Sequence, residues 1–270
     1  MMPAILWQTI GSQRRGFQYF HIAWTLAKRE LKGRYRGSWL GFFWTFVEPL
    51  LLTFIFFFIF VVIFRQDHQN YLIYLLAGML PFFFLNSTVV KSTVSLSGYA
   101  SLIRQVYCPR EVFVMVGVLS ELYHFVFSLV VLTPFYFYYG VLPSWRIIGL
   151  IPALLLITLF SYGLGLFCAS LNVFVRDTRF FITLLFRMWF YLTPIFYTVE
   201  RLHNLGPTAI HLYNLNPMVP LLGIFRWALV PGESLPAPHF LGIMTAEIFL
   251  ATLVGAVFFA RNDNTAVKML

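Results

Sequence analysis

Five ionisable side chains interrupt the long apolar stretches of this 270-residue sequence: Glu48, Glu121, His124, Arg187 and Glu247. A charge inside a bilayer is costly, so each of them should face a partner, a cavity or water. Glu121 and His124 are three positions apart and share one face of a helix. They could act as a general acid–base pair, although the pattern favours a buried hydrogen bond. Glu48 and Arg187 lie at similar depth in two separate stretches, and we expect them to form an ion pair.

Motifs of nucleotide-binding, metal-dependent and nucleophilic enzymes are missing from the sequence. It never contains the dipeptide Gly-Lys, so it has no nucleotide-binding GxxxxGK[ST] loop. HExxH and GxSxG are also missing, and the two cysteines, Cys108 and Cys168, have no CxxC spacing. We therefore expect no directly bound cofactor, no metal and no catalytic residue.

The elements that carry the ionisable residues must be membrane-spanning. The chain is 60% hydrophobic and 11% charged, whereas soluble domains are about 45–50% apolar and about 25% charged. Long apolar runs without two-residue alternation indicate helices rather than barrel strands. We predict an all-α integral membrane protein, a single domain over residues 1–270, with six transmembrane helices at about 39–64, 72–90, 112–139, 147–171, 180–197 and 240–260.

The distribution of Lys and Arg predicts the orientation. If the N-terminus is cytoplasmic, 14 of the 19 basic residues lie in inner segments and four in outer segments, with Arg187 inside a span. The positive-inside rule then places residues 1–38 and the C-terminus in the cytoplasm. Because the basic residues flank apolar runs, the net charge of +9 favours a membrane surface over nucleic acid as the partner.

Three segments outside the predicted spans are expected to fold. Phe17–Lys32 has helical periodicity and should form an amphipathic helix in the membrane interface; a helix packed on soluble protein is the alternative. Lys91–Glu111 is partly apolar and long for a helix–helix connection, so we expect a short exposed helix rather than a disordered loop. Thr198–His239 should lie outside, and its apolar stretch Met218–Val230 is too short to cross, which predicts re-entrant helices.

Aromatic residues make up 20% of the chain and are dense within the predicted spans. Tryptophan and tyrosine near the membrane interfaces form belts, but several others lie deeper. Aromatic faces can stack on sugar rings, so the deeper residues indicate either a saccharide pathway or lipid-facing packing. The candidates for the pathway, with two charged residues included, are Phe42, Trp44, Glu48, Arg187, Trp189 and Tyr191.

Several motifs resemble one family of permeases. YRGSWLGFFWTFVEPLL (35–51) follows a basic cluster and is similar to the opening of type-2 ABC exporter permeases for cell-surface polymers, where (K/R)xRYxxSxLGxxWxxxxPLL is typical. ASLIRQVYCPREVFV, LNVFVRDTRF, YLTPIFYTVE and YNLNPMVPLLGIFR resemble later parts of that family in the same order. One departure is Glu48 before Pro49, where relatives often carry Gln, Asn or an apolar residue.

The resemblance implies a homodimer that binds two copies of a separate ATPase subunit, which would hold ATP and Mg. The permease would move an undecaprenyl-pyrophosphate-linked polymer (wall teichoic acid, O-antigen or capsular polysaccharide) across the cytoplasmic membrane of a bacterium. Coupling to the ATPase would fall on the segment before the third span, at Tyr99, Leu102, Ile103, Arg104, Tyr107, Pro109 and Arg110.

The resemblance also gives the basic segment a role. Lys32, Arg34 and Arg36 would lie at the depth of the substrate's pyrophosphate, which guanidinium and ammonium groups bind strongly. Attraction to anionic membrane lipid is the alternative role for these side chains. Pro49 is expected to bend the first span, because an interior proline removes a backbone hydrogen bond.

Two other classes of function compete with the exporter. A polytopic membrane transferase acting on polyprenyl-linked glycans would use Glu121 and His124, or Glu48, as acid–base groups. An ATP-independent transporter usually has inverted repeats, and the sequence shows none. Copurification with an ATPase subunit would distinguish the exporter from both.

Overall fold

The structure, a computed structural model, describes residues 4–34, 37–63, 70–105, 108–142, 144–197 and 212–269, with side chains described between residues 18 and 263. Helices dominate these ranges, and no strand occurs within them. The predicted all-α fold is confirmed. In chain order the helices are α1 Ala4–Arg34, α2 Trp44–Phe57, α3 Tyr71–Thr93, α4 Ser95–Gly98, α5 Ala100–Gln105, α6 Glu111–Ser128, α7 Thr133–Tyr139, α8 Leu150–Phe174, α9 Thr178–Leu192, α10 Met218–Leu229 and α11 Pro238–Met269.

Five helical stretches of the described chain are long and apolar enough to cross a membrane. Short 3₁₀ or π turns extend α2 and α8 and join α6 to α7, so several stretches are longer than the single helices. Each of the five overlaps a predicted span and differs from it by a few residues at its ends. The five are Gly41–Ile63, Tyr71–Thr93, Glu111–Tyr139, Trp145–Phe174 and Pro238–Asp263.

The remaining predicted span, 180–197, is not helical over its whole length. Helix α9 has 15 residues and ends at Leu192, where Thr193 adopts an extended conformation (φ −91°, ψ 138°). Pro194 explains the break, because proline disfavours a helical conformation in the residue before it. The chain continues beside α3, and Tyr71 donates a hydrogen bond to the Phe196 carbonyl at 2.9 Å. Residues 178–197 therefore run antiparallel to α3.

Helix α3 is the centre of the bundle. In the most apolar part of α3, 78% of the residues are buried, whereas in that of Gly41–Ile63 only 11% are buried. Helices α8 and α11 pack in parallel at close range: a Cβ added to Gly255 would overlap the Gly163 carbonyl oxygen. Small residues allow this approach of two backbones. The chain thus builds a core around α3 and leaves the first span largely on the surface.

Helix α1 is present as predicted and packs on α6 through small residues. Ala23 and Ala27 are buried against Val112 and Val116. Phe20 and Trp24, on the adjoining face, stay 48% and 36% exposed. The helix is anchored to the bundle and also offers aromatic surface to its surroundings, as an interface helix would. We call this end of the bundle, where α3 ends, the α1 end, and the opposite end, where α3 begins, the α10 end.

Candidate functional site

An ion-pair network joins α1, α3 and α6 at the α1 end. The Lys91 ammonium of α3 lies 2.7 Å from Glu30 Oε1 and 3.0 Å from Glu121 Oε1, and it donates to Ser120 Oγ at 2.6 Å. The Arg34 guanidinium, at the end of α1, lies 3.1 Å from the same Glu121 oxygen. Two cations and two carboxylates therefore balance one another across three helices.

Glu121 is the buried centre of the ion-pair network. Its side chain is 5% exposed, whereas those of Arg34 and Lys91 are 43% and 23% exposed. A buried carboxylate is tolerated when opposite charges and hydrogen bonds surround it, and these two cations supply both. Its neighbour His124 lies on the same face, as predicted, and its Nδ1 is 3.3 Å from Thr45 Oγ1 of α2. Glu121 is thus engaged in structural contacts rather than arranged as a general base.

Tyr99 connects the segment after α3 to the ion-pair network. Its phenol donates to Glu30 Oε2 at 3.3 Å, and its ring lies 5.3 Å from that of Phe113. Burial, followed by the Glu30 charge, raises the pKa of Tyr99 to about 12, so the phenol keeps its proton and stays a donor at neutral pH. Consecutive side-chain contacts therefore connect Tyr99 to Glu30, Glu30 to Lys91, and Lys91 to Glu121.

The expected short helix in residues 91–111 is present as α4 and α5. Leu96 is buried, and Ile103 packs against the same cluster, which anchors the segment to the bundle. Ser97, Ser101 and Arg104 are exposed on the opposite side. The segment is therefore a folded, surface-exposed element, as a docking site requires.

The predicted coupling residues have different environments. Leu102 and Pro109 are half-buried, and Tyr107 lies outside the described residues. Arg110 binds α11: its Nη1 lies 2.6 Å from Asp263 Oδ1 and donates to the Asp263 carbonyl at 2.8 Å. Arg110 therefore fastens the start of α6 to α11.

A cavity of about 530 Å³ opens beside the ion-pair network, between α1, α2, α3 and α6. Exposed side chains form its mouth, and half-buried or buried ones form the rest of its wall. The mouth is lined by Arg34, Ser38, Trp44 and Glu48, and the deeper wall by Thr45, Pro49, Leu52, Leu80, Phe83, Phe84, Asn86, Ser87, Glu121, His124, Phe125 and Ser128. The cavity thus combines a charged mouth with a wall that is part polar and part aromatic.

Only part of the predicted pathway lines this cavity. Trp44 and Glu48 do, and the Phe42 ring stacks on His124 at 6.3 Å just beside it. Trp189 instead packs in the core against Phe82, Phe160 and Phe186, and it donates from Nε1 to Asn216 Oδ1 at 3.0 Å. Tyr191 is 64% exposed on α9.

The expected ion pair between Glu48 and Arg187 does not form within the chain. Among the side chains that the structure describes, neither takes part in a salt bridge. Successive helical residues point about 100° apart, and the buried face of α9 at this level is occupied by Phe186. Arg187 therefore lies on an exposed face, whereas Glu48 faces the cavity. Of the three predicted phosphate-binding residues, Lys32 and Arg34 are exposed, and Arg36 lies outside the described residues.

Sequence reasoning missed a second polar site, at the α10 end. Arg226 of α10 is 4% exposed, and its guanidinium donates to the carbonyls of Pro194 and Ile195. The same group lies 3.7 Å from the centroid of the Tyr74 ring. A buried backbone outside regular helix requires such partners, and these contacts supply them to the segment that follows α9. A lone arginine within the apolar stretch Met218–Val230 was the available signal.

Similarity to known proteins extends over most of the chain. The family model described as "ABC-2 type transporter" matches residues 22–230. The chain belongs to the ABC-2 type transporter family. This ABC-2 chain is 31% identical over 255 residues to the O-antigen export system permease protein RfbA of Myxococcus xanthus, covering 94% of this chain and 97% of the relative. Proteins of the same description from Klebsiella pneumoniae are 28% identical (93% and 95% covered) and 29% identical (86% and 90% covered).

The family assignment decides between the classes of function. An ABC-2 chain is the transport subunit of a system powered by an ABC-type ATPase, so the chain transports rather than catalyses. The transferase alternative is therefore not favoured.

Proposed function

We propose that this chain is the permease subunit of an ATP-driven exporter of O-antigen-type polysaccharide carried on an undecaprenyl-pyrophosphate lipid. The observation that carries the proposal is the match with O-antigen export permeases over nearly the full length of both chains. Teichoic acid and capsular polysaccharide are polymers of related chemistry, and no relative among those compared favours them.

The ATPase partner docks on the exposed face of α4 and α5. Ser97, Ser101 and Arg104 form that face, and Tyr99 beneath it contacts Glu30 of the ion-pair network. A displacement of this segment would therefore reach the cavity through side chains in direct contact. ATP and Mg are bound by the partner, of which two copies serve two permease chains.

A second copy of the chain covers α2 and α9. The first span is the least buried of the five, and α9 exposes Phe180, Phe181, Leu184 and Met188. In a dimer these apolar faces would enclose a pathway between the two chains, with the remaining surface against lipid. Residues 178–197, made of α9 and its extended tail, would cross the membrane as well. Together with the five long stretches they give the chain six membrane crossings.

The α1 end lies in the cytoplasm of a bacterium, and the chain resides in the cytoplasmic membrane. The support is the excess of Lys and Arg in the segments at this end. In this orientation α4 and α5 are accessible to a cytoplasmic ATPase, and the α10 end faces outward.

Copurification tests the proposal. The tagged permease is expressed with its neighbouring ATPase subunit, solubilised in detergent and purified, and the ATPase activity of the complex is measured. Ser101→Trp places a bulky side chain on the docking face and should abolish copurification, whereas Ser144→Trp, at an exposed serine of the α10 end, should leave it intact. A permease that purifies without any ATPase, or a Ser101→Trp variant that still binds it, would contradict the proposal.

A further inference from the structure

Two exposed stripes, one on α2 and one on α9, each carry a single charged side chain. Exposed residues of α2 and the turn after it recur at alternating spacings of four and three, and exposed residues of α9 do the same. The α2 stripe consists of Trp44, Glu48, Leu51, Ile55 and Phe58, and the α9 stripe of Phe180, Leu184, Arg187 and Tyr191. Such spacing is typical of a helix face that packs against another helix. Glu48 and Arg187 thus interrupt two otherwise uncharged packing faces.

The two stripes lie on the same side of the bundle and at similar depth. The Phe190 ring of α9 is 6.1 Å from the Phe56 ring of α2, and it stacks on the Phe83 ring of α3 at 6.0 Å. Phe83 lines the same cavity as Glu48. Arg187 precedes Phe190 by one helical turn, which places it about 4.5 Å closer to the α1 end. Arg187 is therefore level with the cavity at whose mouth Glu48 lies.

Neither of these two charges is neutralised by the described part of the chain. Among the described side chains, Glu48 and Arg187 form no ion pair with each other or with any other group. Arg34, the cation at the mouth of the same cavity, is paired with Glu121. A charge within a membrane span is costly unless it faces water or an opposite charge. A group from outside the chain is therefore needed at both positions.

We propose that Glu48 forms an ion pair with Arg187 of a second copy of the chain. In a dimer whose two-fold axis follows the membrane normal, residues of equal depth meet, and each contact occurs twice. The α2 stripe of each copy packs against the α9 stripe of the other. The opposite charges fix the register of the two stripes, as a single polar residue does within the apolar seam of a coiled coil. This assignment rests on the proposed dimer, and it names the contact that selects the partner's face.

Lipid is the competing neighbour of both stripes. Arg187 lies near the middle of residues 178–197, whereas the phosphate of a phospholipid lies at the membrane surface. Lipid tails carry no charge, so they leave this guanidinium uncompensated. A partner's Glu48 lies at a matching depth and supplies the opposite charge. The position of Arg187 therefore favours a second copy over lipid.

Charge reversals in differently tagged copies of the full-length permease test the pairing. The copies are expressed without the ATPase, so that only permease contacts hold them together, and capture of one tag by the other is measured in mild detergent. Glu48→Arg or Arg187→Glu alone should reduce self-capture at least about tenfold, because like charges then meet twice in each dimer. Coexpression of the two variants should restore capture, since their chains present opposite charges at both contacts.

The mixed variants distinguish a contact between copies from a contact within one chain. An ion pair within one chain would be restored by both reversals in that chain, but not by mixing the two single variants. Glu247→Arg reverses another carboxylate of a membrane-spanning stretch, on α11, and is the matched control. It should leave self-capture unchanged, and it should not restore capture when it is coexpressed with Arg187→Glu.

Undiminished self-capture of either single variant, or failure of the mixed variants to associate, would overturn the pairing. If a single variant does not accumulate on its own, Glu48→Gln and Arg187→Gln replace the reversals. Both changes together should then weaken self-capture no more than either one alone, and additive effects would overturn the pairing.

The same experiment separates the ion pair from the proposed dimer. If unaltered copies do not capture one another, the dimer itself is contradicted. If unaltered copies associate and the reversals have no effect, only the ion pair is contradicted. Copurification of the ATPase depends on α4 and α5 and is measured independently of both.

Discussion

Arg226 should be the most destabilising single truncation at the α10 end. Replacement by alanine removes the donors to the Pro194 and Ile195 carbonyls and the cation over the Tyr74 ring. Nothing else in the described chain donates to these two carbonyls. The buried tail of α9 would then keep unpaired backbone carbonyls, because its burial keeps water from replacing the lost donors.

The magnitude follows from the contacts. Each buried carbonyl left without a donor costs about 1–3 kcal/mol, and the lost cation–π contact costs about 1–2 kcal/mol. The substitution also removes the cost of burying the guanidinium, which offsets part of this sum, so we expect a net loss of about 3–5 kcal/mol. At about 2–4 °C per kcal/mol for a chain of this size, the unfolding midpoint should fall by about 10 °C.

Thermal unfolding in detergent, followed by intrinsic fluorescence, measures the effect. Arg146→Ala is the matched control, because Arg146 also donates to a carbonyl (Glu233, 3.1 Å) and lies over an indole (Trp227, 6.0 Å) but is half-exposed. Its midpoint should fall by less than about 3 °C, since exposed contacts of this kind contribute about 1 kcal/mol or less. Equal midpoints for Arg226→Ala and the unaltered protein would refute the structural role of Arg226.

Three further predictions concern other parts of the fold. Lys91→Met should lower the free energy of unfolding by about 2 kcal/mol, because it leaves Glu121 with one cation. In a double-mutant cycle, Lys91→Met combined with Glu121→Gln should destabilise the protein by less than the sum of the two single changes. Strict additivity would argue against the pairing. Gly255→Leu should prevent α8 and α11 from packing on Gly163 and sharply reduce the yield of folded protein, whereas Gly242→Leu, with open space around its Cβ, should not. Burial raises the pKa of the Cys108 thiol, so less thiolate forms at pH 8. Iodoacetamide should therefore alkylate Cys108 more slowly than free cysteine, and the rate of alkylation should still rise above pH 9. Site-resolved mass spectrometry measures this rate, and a rate equal to that of free cysteine would contradict the burial.

The sequence predicted the helices well because a bilayer leaves few choices. An apolar run of about 20 residues satisfies its backbone in lipid only as a helix, so the five long stretches appear close to their predicted ends. Two helices outside the five long stretches, α1 and α10, were also predictable, the first from its periodicity and the second from its apolar stretch. The motifs from YRGSWLGFFW onward also carried the family resemblance, which the match over residues 22–230 confirms.

Charge pairing was less predictable, because depth alone does not define direction. Glu48 and Arg187 were predicted at the same depth, yet Glu48 lines the cavity and Arg187 is exposed on α9. The partners of Glu121 lie far away in sequence, at Lys91 and Arg34, and only the packing of α1 and α3 on α6 brings them together.

What the sequence by itself determined is therefore the class of protein: a helical membrane transporter subunit without a nucleotide loop, with a basic segment beside the first span. The tertiary structure decided which polar groups neutralise one another and which line a cavity. The packing of the helices places Glu121 and Arg226 in contacts within the chain. It places Glu48, Asn86 and Ser87 in the wall of a cavity. The physical reason is that a local pattern fixes the conformation of a segment, whereas a polar group in a membrane is satisfied by partners that only the arrangement of the helices selects.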